Sequence, residues 1–382
     1  MKKFFFFAAA VVAMAACQKG AQPLSDEFKT PVEEGAPQAV LFSSNVNSVV
    51  ESKAQGSVDA WDGTQNLYVY GYQRIGKAID YSTAEPFMPN VVATSPISGT
   101  EGKLELLNEA GNPFYYAGNN TYDFYGYYVD GLNYDAEGTL VEPTKTQEGL
   151  YLPITITGGE DIMLAKANPE VDGAELVNPR FAYSAWAARR NVHPTLKFEH
   201  QLVQFKFEIA SGSDDAEAQE LKVTGLTLDA LTEGKLYVAG STLGFKDVDL
   251  TKKSAVSLYD FEEYSVPNMV EGVDSAEKIG DCIMVIPNTV NGPLAAADVF
   301  TGKVQLTQKG APEGAFVDFS LNFDEDVKGA PEGLTAFVAG YSFTVKITVY
   351  SLKEVEVTAV LTPWENGGNV SIDTDKQPEI ID

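Results

Sequence analysis

Phe343-Thr-Val-Lys-Ile-Thr-Val-Tyr350 decides the fold class. Apolar side chains at every second position, four of them β-branched or aromatic, give the period-two signature of a strand with one face in a core. The same alternation recurs along the chain. It is found in Asn66-Leu-Tyr-Val-Tyr-Gly-Tyr72, Tyr122-Asp-Phe-Tyr-Gly-Tyr-Tyr-Val129, Thr195-Leu-Lys-Phe198, Val203-Gln-Phe-Lys-Phe-Glu-Ile209 and Phe316-Val-Asp-Phe-Ser-Leu-Asn-Phe323. Turn pairs such as Asp62-Gly63, Asp130-Gly131, Glu137-Gly138, Asp172-Gly173 and Glu233-Gly234 separate these runs. Lys-Gly-Ala-Pro-Glu-Gly occurs at 309–314 and again at 328–333, bracketing one strand as two tight turns. No segment carries the 3.6-residue period of a long amphipathic helix. The pattern predicts an all-β protein of antiparallel sheets, each packed on one face, rather than a parallel α/β scheme.

The 382 residues exceed the usual size of one domain. Between Asn168 and Pro194 the alternation lapses, and this stretch holds three prolines and Arg189-Arg190. Two β-sandwich domains, 39–192 and 193–382, are therefore expected.

Acidic residues outnumber basic ones 54 to 27, a net charge of −27, which argues against nucleic acid and against anionic lipid head groups as partners. Aromatic residues make up 11% of the chain, too many for a disordered one. Two His and two Cys leave little for a metal centre, a His-dependent triad or a disulfide framework. There is no Gly-x-Ser-x-Gly, phosphate loop or dinucleotide fingerprint. His200 lies on an alternating strand between Phe198 and Leu202 and reads as structural. Asn133 to Gly138 places oxygen ligands at alternate positions. Position twelve of that loop is Thr144 rather than Glu, so a hairpin turn is expected instead of a calcium site. Cys282, inside Ile279–Ile286, reads as an inert core thiol, and the isolated Trp61, Trp186 and Trp364 as packing residues. No catalytic residue, metal ligand or cofactor follows from these patterns.

The N-terminus reads as an address. Met1-Lys2-Lys3 precedes an uncharged apolar run, Phe4 to Ala16, shorter than the ~20 residues of a membrane span but suited to a secretory signal. Met14-Ala15-Ala16-Cys17 resembles the lipobox of bacterial lipoproteins, which implies a signal peptide over 1–16 and lipid on Cys17. Residues 17–38, rich in Pro, Gly, Glu and Ala, read as a flexible tether.

The order of motifs is similar to that of the fimbrillin-like proteins, the type V pilus lipoproteins of Bacteroidota. The resemblance rests on Val40-Leu-Phe-Ser-Ser-Asn-Val46, Glu51-Ser-Lys-Ala-Gln55, Leu67 to Tyr72, Tyr122 to Tyr128, Asp161-Ile-Met-Leu-Ala165, Leu196-Lys-Phe-Glu-His-Gln-Leu-Val203, Met284-Val-Ile-Pro287 and Pro363-Trp364-Glu-Asn-Gly367. It implies two tandem transthyretin-like sandwiches and a non-enzymatic role as stalk or tip subunit of a surface pilus that supports adhesion. Such a subunit reaches the outer membrane as a lipoprotein precursor and then joins a surface pilus. Proteolysis between Lys53 and Ala54 would release the first strand, whose Val40, Phe42 and Val46 share one face. Another subunit's strand, homo- or heterotypic, would then fill the groove, and Asn369-Val-Ser-Ile-Asp373, with Val370 and Ile372, is the candidate donor. A host or bacterial surface receptor would complete the partners. Asp274-Ser275-Ala276 resembles a Bacteroidota O-glycosylation motif. The alternative is a lipid-anchored glycan- or protein-binding lipoprotein, or a pilus anchor, that keeps its N-terminus and does not polymerise.

Overall fold

The computed structural model describes residues 37–46, 61–74, 78–97, 101–118, 120–167, 177–272, 276–292, 294, 298–328, 330 and 333–362. In chain order its strands are β1 (Phe42–Val46), β2 (Asn66–Arg74), β3 (Met88–Thr94), β4 (Glu101–Leu104), β5 (Thr121–Tyr128), β6 (Thr144–Lys145), β7 (Gly149–Thr155) and β8 (Met163–Ala167). They continue as β9 (Thr195–His200), β10 (Val203–Ser211), β11 (Lys222–Leu231), β12 (Glu233–Gly240), β13 (Gly244–Lys246), β14 (Lys253–Ser257), β15 (Tyr264–Ser265) and β16 (Glu277–Val285). The last are β17 (Val299–Gln308), β18 (Ala311–Asn322), β19 (Val327–Lys328), β20 (Ser342–Ser351) and β21 (Glu354–Thr362). Among the described residues the α-helices are two single turns, α1 (Ala185–Ala188) and α2 (Phe323–Asp326). The protein is all-β.

Four sheets result. A seven-stranded sheet runs β3-β2-β5-β8-β9-β1-β4, and a four-stranded sheet runs β13-β12-β7-β6. Two five-stranded sheets follow: β16-β10-β20-β21-β19, and β14-β11-β17-β18 with β15 alongside β11. The sheets are mostly antiparallel, but β1 runs parallel to β9, β10 to β20 and β19 to β21. Pure antiparallelism is thus corrected. A parallel pair needs a long crossover, and that between β10 and β20 runs through β11 to β19, most of which lie in other sheets.

The pairings also cross the division expected at 192 and 193. β9 pairs with β8 and β1, and β12 pairs with β7. The stretch before β9 is not a bare connector: Tyr183 bridges Tyr122, and Ala185 and Ala188 join the core beside Phe124 and Phe198.

Among the described residues three apolar clusters form the core. The two five-stranded sheets enclose a Phe-rich core with Phe205, Phe300, Phe337 and Phe343 at its centre, ring centroids 4.8–5.9 Å apart. The four-stranded sheet packs on one face of the seven-stranded sheet over a Tyr-rich core, including Tyr68, Tyr70, Tyr72, Tyr81, Tyr125 and Tyr127. The opposite face buries Leu67, Val69, Tyr122, Phe124, Leu196 and Phe198 under chain segments that include Trp61, Tyr116 and Tyr183. Both faces of this sheet are therefore covered, and all eight residues of β5 are buried. The expectation of one packed face fails here because non-strand segments supply the second cover.

Two turn readings can be compared directly. Asp135 accepts backbone N–H bonds from Glu137 and Thr139, and Gly138 takes φ +77°, so Asn133–Gly138 is a turn as expected. The first Lys-Gly-Ala-Pro-Glu-Gly copy is a two-residue turn only: Gln308 faces Ala311 across Lys309-Gly310, with Gly310 at φ +81°, and Ala311 to Gly314 already belong to β18.

Candidate strand groove

The N-terminal segment enters the fold as a strand held from two sides. Val40 N–H donates to the Phe114 carbonyl at 2.8 Å, and Tyr116 N–H donates to the Gln38 carbonyl at 3.0 Å. The chain then becomes β1, antiparallel to β4 from Phe42↔Leu104 to Asn45↔Glu101, and parallel to β9 from Ser43↔Thr195 to Val46↔Phe198. Alternation dictates which side chains face inward. Val40 and Phe42 are each 4% exposed in the core, and Leu41 between them is 46% exposed. The Phe42 ring meets Phe124 edge to face at 4.8 Å. Full burial of such side chains contributes about 1.5–3 kcal/mol each.

β1 is an interior strand, and β4 joins the sheet only through it. Withdrawing β1 would bare the edge of β9, leave β4 with no strand partner, and uncover the Phe124 ring. A groove of that kind accepts another strand through main-chain hydrogen bonds and alternate side chains. Trp61 is 1% exposed and stacks edge to face on Phe198 at 5.4 Å, so the chain beyond residue 60 is anchored independently of β1.

Of the residues singled out from sequence, Val40 and Phe42 come together on the inward face of the segment that fills this groove, and Val46 ends β1 beside Phe198. Cys17, Lys53, Ala54, Val370 and Ile372 lie outside the described residues, as do Asp274 and Ser275. Sequence reasoning missed the groove's floor and walls: Phe124, Leu196, Phe198, Trp61 and β4. The alternation around Leu196 and Phe198 was visible, but nothing in it told which strand lay beside them.

The titratable groups near this sheet are tied into structure. Arg74, on β2, pairs with Asp123 on β5, its Nε donating to Oδ1 at 3.1 Å, with side chains 9% and 0% exposed. Burial pushes the Asp123 carboxyl up, opposed by the charges of Arg74 and Lys166. His200 Nδ1 lies 3.0 Å from Asp161 Oδ1 in a buried pair, in keeping with a structural histidine. Cys282 is 1% exposed, and burial pushes its thiol up to about 12, which suppresses the reactive thiolate. Among the described residues no three His, Cys, Asp or Glu side chains gather as metal ligands.

With this geometry in place, the comparisons with known proteins are decisive on one point. The fimbrillin-like family model matches residues 52–364. The chain belongs to the fimbrillin-like family. The match begins after β1 and ends before Val370 and Ile372. This fimbrillin-like chain also resembles solved structures. One is a fimbrial protein from Bacteroides vulgatus, with 15% identity and a TM-score of 0.44 over 85% of this chain and 99% of that one. Another, from Bacteroides ovatus and provisionally described as a cell adhesion protein, has 14% identity and a TM-score of 0.47, over 87% and 100%. The tip fimbrial protein Mfa3 from Porphyromonas gingivalis has 10% identity and a TM-score of 0.36, over 85% and 99%. A comparison with curated protein sequences returns no match.

Proposed function

We propose that this fimbrillin-like chain is a structural, non-enzymatic subunit of a surface pilus, stalk or tip, that assembles by donor-strand exchange and supports adhesion. The observation that carries the reading is the place of β1. It is a five-residue interior strand, joined on one side to the chain's N-terminal segment and on the other to the stretch bearing Lys53. A cut between Lys53 and Ala54 would detach one strand and leave the rest of the sheet anchored through Trp61. The donor is the C-terminal segment of another subunit, its Val370 and Ile372 spaced like Val40 and Phe42. Export proceeds through the signal peptide over 1–16, lipid on Cys17 and an outer-membrane precursor. The partners are other pilus subunits of the same or another kind and a surface receptor. Two sandwich units carry this function: the seven- and four-stranded sheets form one and the two five-stranded sheets the other, with β9, β12 and β13 belonging to the first.

The reading is tested by Lys53→Ala. We expect a folded, lipidated monomer that no longer enters surface fibres, and Cys17→Ser should abolish acyl labelling. Fibres that form normally from Lys53→Ala with an intact N-terminus would overturn strand removal and favour an anchor or a lipid-anchored binder.

A further inference from the structure

In a chain with 54 acidic residues, three of the four arginines fall within eleven positions, Arg180, Arg189 and Arg190. All three precede β9. The Arg190 guanidinium carbon sits 3.6 Å from the centre of the Trp186 ring and that of Arg180 5.9 Å. Arg190 Nη1 also donates to the Trp186 carbonyl at 3.0 Å. Stacking on an aromatic face fixes a guanidinium in place and leaves its edge free to take a carboxylate. Burial, and then the like charges of Arg189 and Arg180, hold the Arg190 guanidinium below its ordinary value, so the three cations act on one another. Among the described residues no carboxylate forms an ion pair with any of the three. An acidic protein that leaves three clustered cations without a counter-charge offers a site to carboxylates from outside the chain.

The complementary charges lie elsewhere in the fold. Asp214, Asp215, Glu217 and Glu220 fall between β10 and β11, and Glu262 and Glu263 just before β15. Backbone bonds fasten these stretches together: Val266 N–H donates to the Leu221 carbonyl at 2.9 Å, and Met269 N–H to the Ser213 carbonyl at 2.7 Å. Lys222 pairs with Glu263 at 2.6 Å and Lys309 with Glu220 at 3.0 Å. Asp214 and Glu262 are exposed and have no cationic partner among the described residues. A single chain keeps the two sites apart. The arginines precede the start of β9 in the seven-stranded sheet, the chain passes through Gln201 and Leu202 into β10 of a five-stranded sheet, and the acidic loop follows the end of β10. At about 3.3 Å per residue these strands measure about 20 and 30 Å. β11 and β12, joined through Thr232 alone, make the reverse crossing.

We propose that the guanidinium groups of Arg180, Arg189 and Arg190 dock on the acidic end of a second copy of this chain, at Asp214 and Glu262, so that copies line up head to tail. The inference rests on the reading of the chain as a pilus subunit, and it adds the surface by which one subunit orients the next before any strand is exchanged. Unlike patches on one chain make a heterologous contact, which extends into a filament when its rotation does not close a ring. The net charge of −27 makes two chains repel at long range. At physiological ionic strength the Debye length is about 8 Å, which screens that repulsion and leaves groups at ion-pair distance to act.

The test uses the uncleaved full chain, from which no strand has been removed. Sedimentation equilibrium at about 0.15 M salt and up to about 1 mM chain should show concentration-dependent association, weak by itself. The association constant should fall about tenfold at about 1 M salt, the scale of a few partly exposed ion pairs. R180E/R190E and D214K/E262K should each lower it about tenfold with the unfolding midpoint unchanged, and D214K/E262K, on exposed positions, gives this reading even where the arginine variant folds poorly. Mixing the two variants, or combining all four changes in one chain, should restore association, because each reversed patch then meets a reversed partner. That rescue supports the proposal. A chain that stays monomeric at about 0.15 M salt overturns it. So does a loss with R180E/R190E that D214K/E262K neither reproduces nor rescues, since the arginines then serve another partner. Failure of this docking leaves the Lys53 cut and the N-terminus of fibre subunits as they are, whereas failure of strand removal leaves the association of the uncleaved chain intact.

Discussion

The two halves of the molecule bury their aromatic residues in opposite ways. The five-stranded sheets close on one core of phenylalanines, where Phe343, Val345, Ile347 and Val349 of β20 are all fully buried. β20 lies between the long strands β10 and β21, and the chain holds it at both ends. The seven-stranded sheet is buried on both faces, with tyrosines on one side and a mixed aromatic layer on the other, yet it contains β1, which is only five residues long. The contrast teaches that burial and retention are different properties. Phe42 and Phe343 are both buried, but the proposed cut at Lys53 would free the segment that carries Phe42, whereas Phe343 lies on a strand that the chain continues from at both ends.

Equal truncations should therefore have unequal effects. Phe343→Ala should cost about 3–5 kcal/mol and lower the urea midpoint of global unfolding. Phe42→Ala removes the same ring, but the loss should be confined to β1 and β4. Their amides should exchange faster while the global midpoint moves little. Equal shifts in midpoint for the two variants would break the comparison.

The next effect belongs to the seven-stranded sheet. Asp123 offsets the charges of Arg74 and Lys166 in a nearly dry site. Asp123→Ala should destabilise this sheet by about 3 kcal/mol, since it leaves a buried cation without its carboxylate. Near-ultraviolet circular dichroism should report the loss in the tyrosine region, with the Phe-rich core intact.

Alkaline pH separates the halves more gently. Burial pushes the phenols of Tyr68 and Tyr81 up to about 12, and raises those of Tyr70, Tyr72, Tyr125 and Tyr127 further still. Below pH 10 these buried phenols are protonated in both folded and unfolded chains, so the full stability is present. Above pH 10 the unfolded chain releases these protons while the folded one keeps them, so stability falls as pH rises towards and past 12. The slope is at most about 1.4 kcal/mol per pH unit for each buried phenol. The tyrosine sheet should loosen between pH 10 and 12 and the phenylalanine sandwich should not. Simultaneous loss of both, followed by hydrogen exchange after an alkaline pulse, would contradict a division of the core by residue type.

Most of the strands could be read from the chain, because alternation is a local property. Phe343–Tyr350 lies inside β20, Val203–Ile209 inside β10, and Asn66–Tyr72 inside β2. What alternation cannot convey is the neighbour. Leu196 and Phe198 mark a strand wherever they fall, so only tertiary structure places β9 beside β1 and β8 rather than with the second half. The double burial of β5 was hidden for a related reason: its covering segments have no periodicity of their own. Val40 and Phe42 were legible as a face, while Phe124 and Trp61 looked like any other core aromatic until the strand order was known.

The proposed mechanism makes β1 the part of the sheet that leaves. Mass spectrometry of the N-terminal peptide of the chain, isolated from surface fibres, tests this most directly. The account predicts a first residue of Ala54, with no peptide covering Val40 to Val46. Fibres whose subunits still begin at a lipidated Cys17 and retain Phe42 would contradict it.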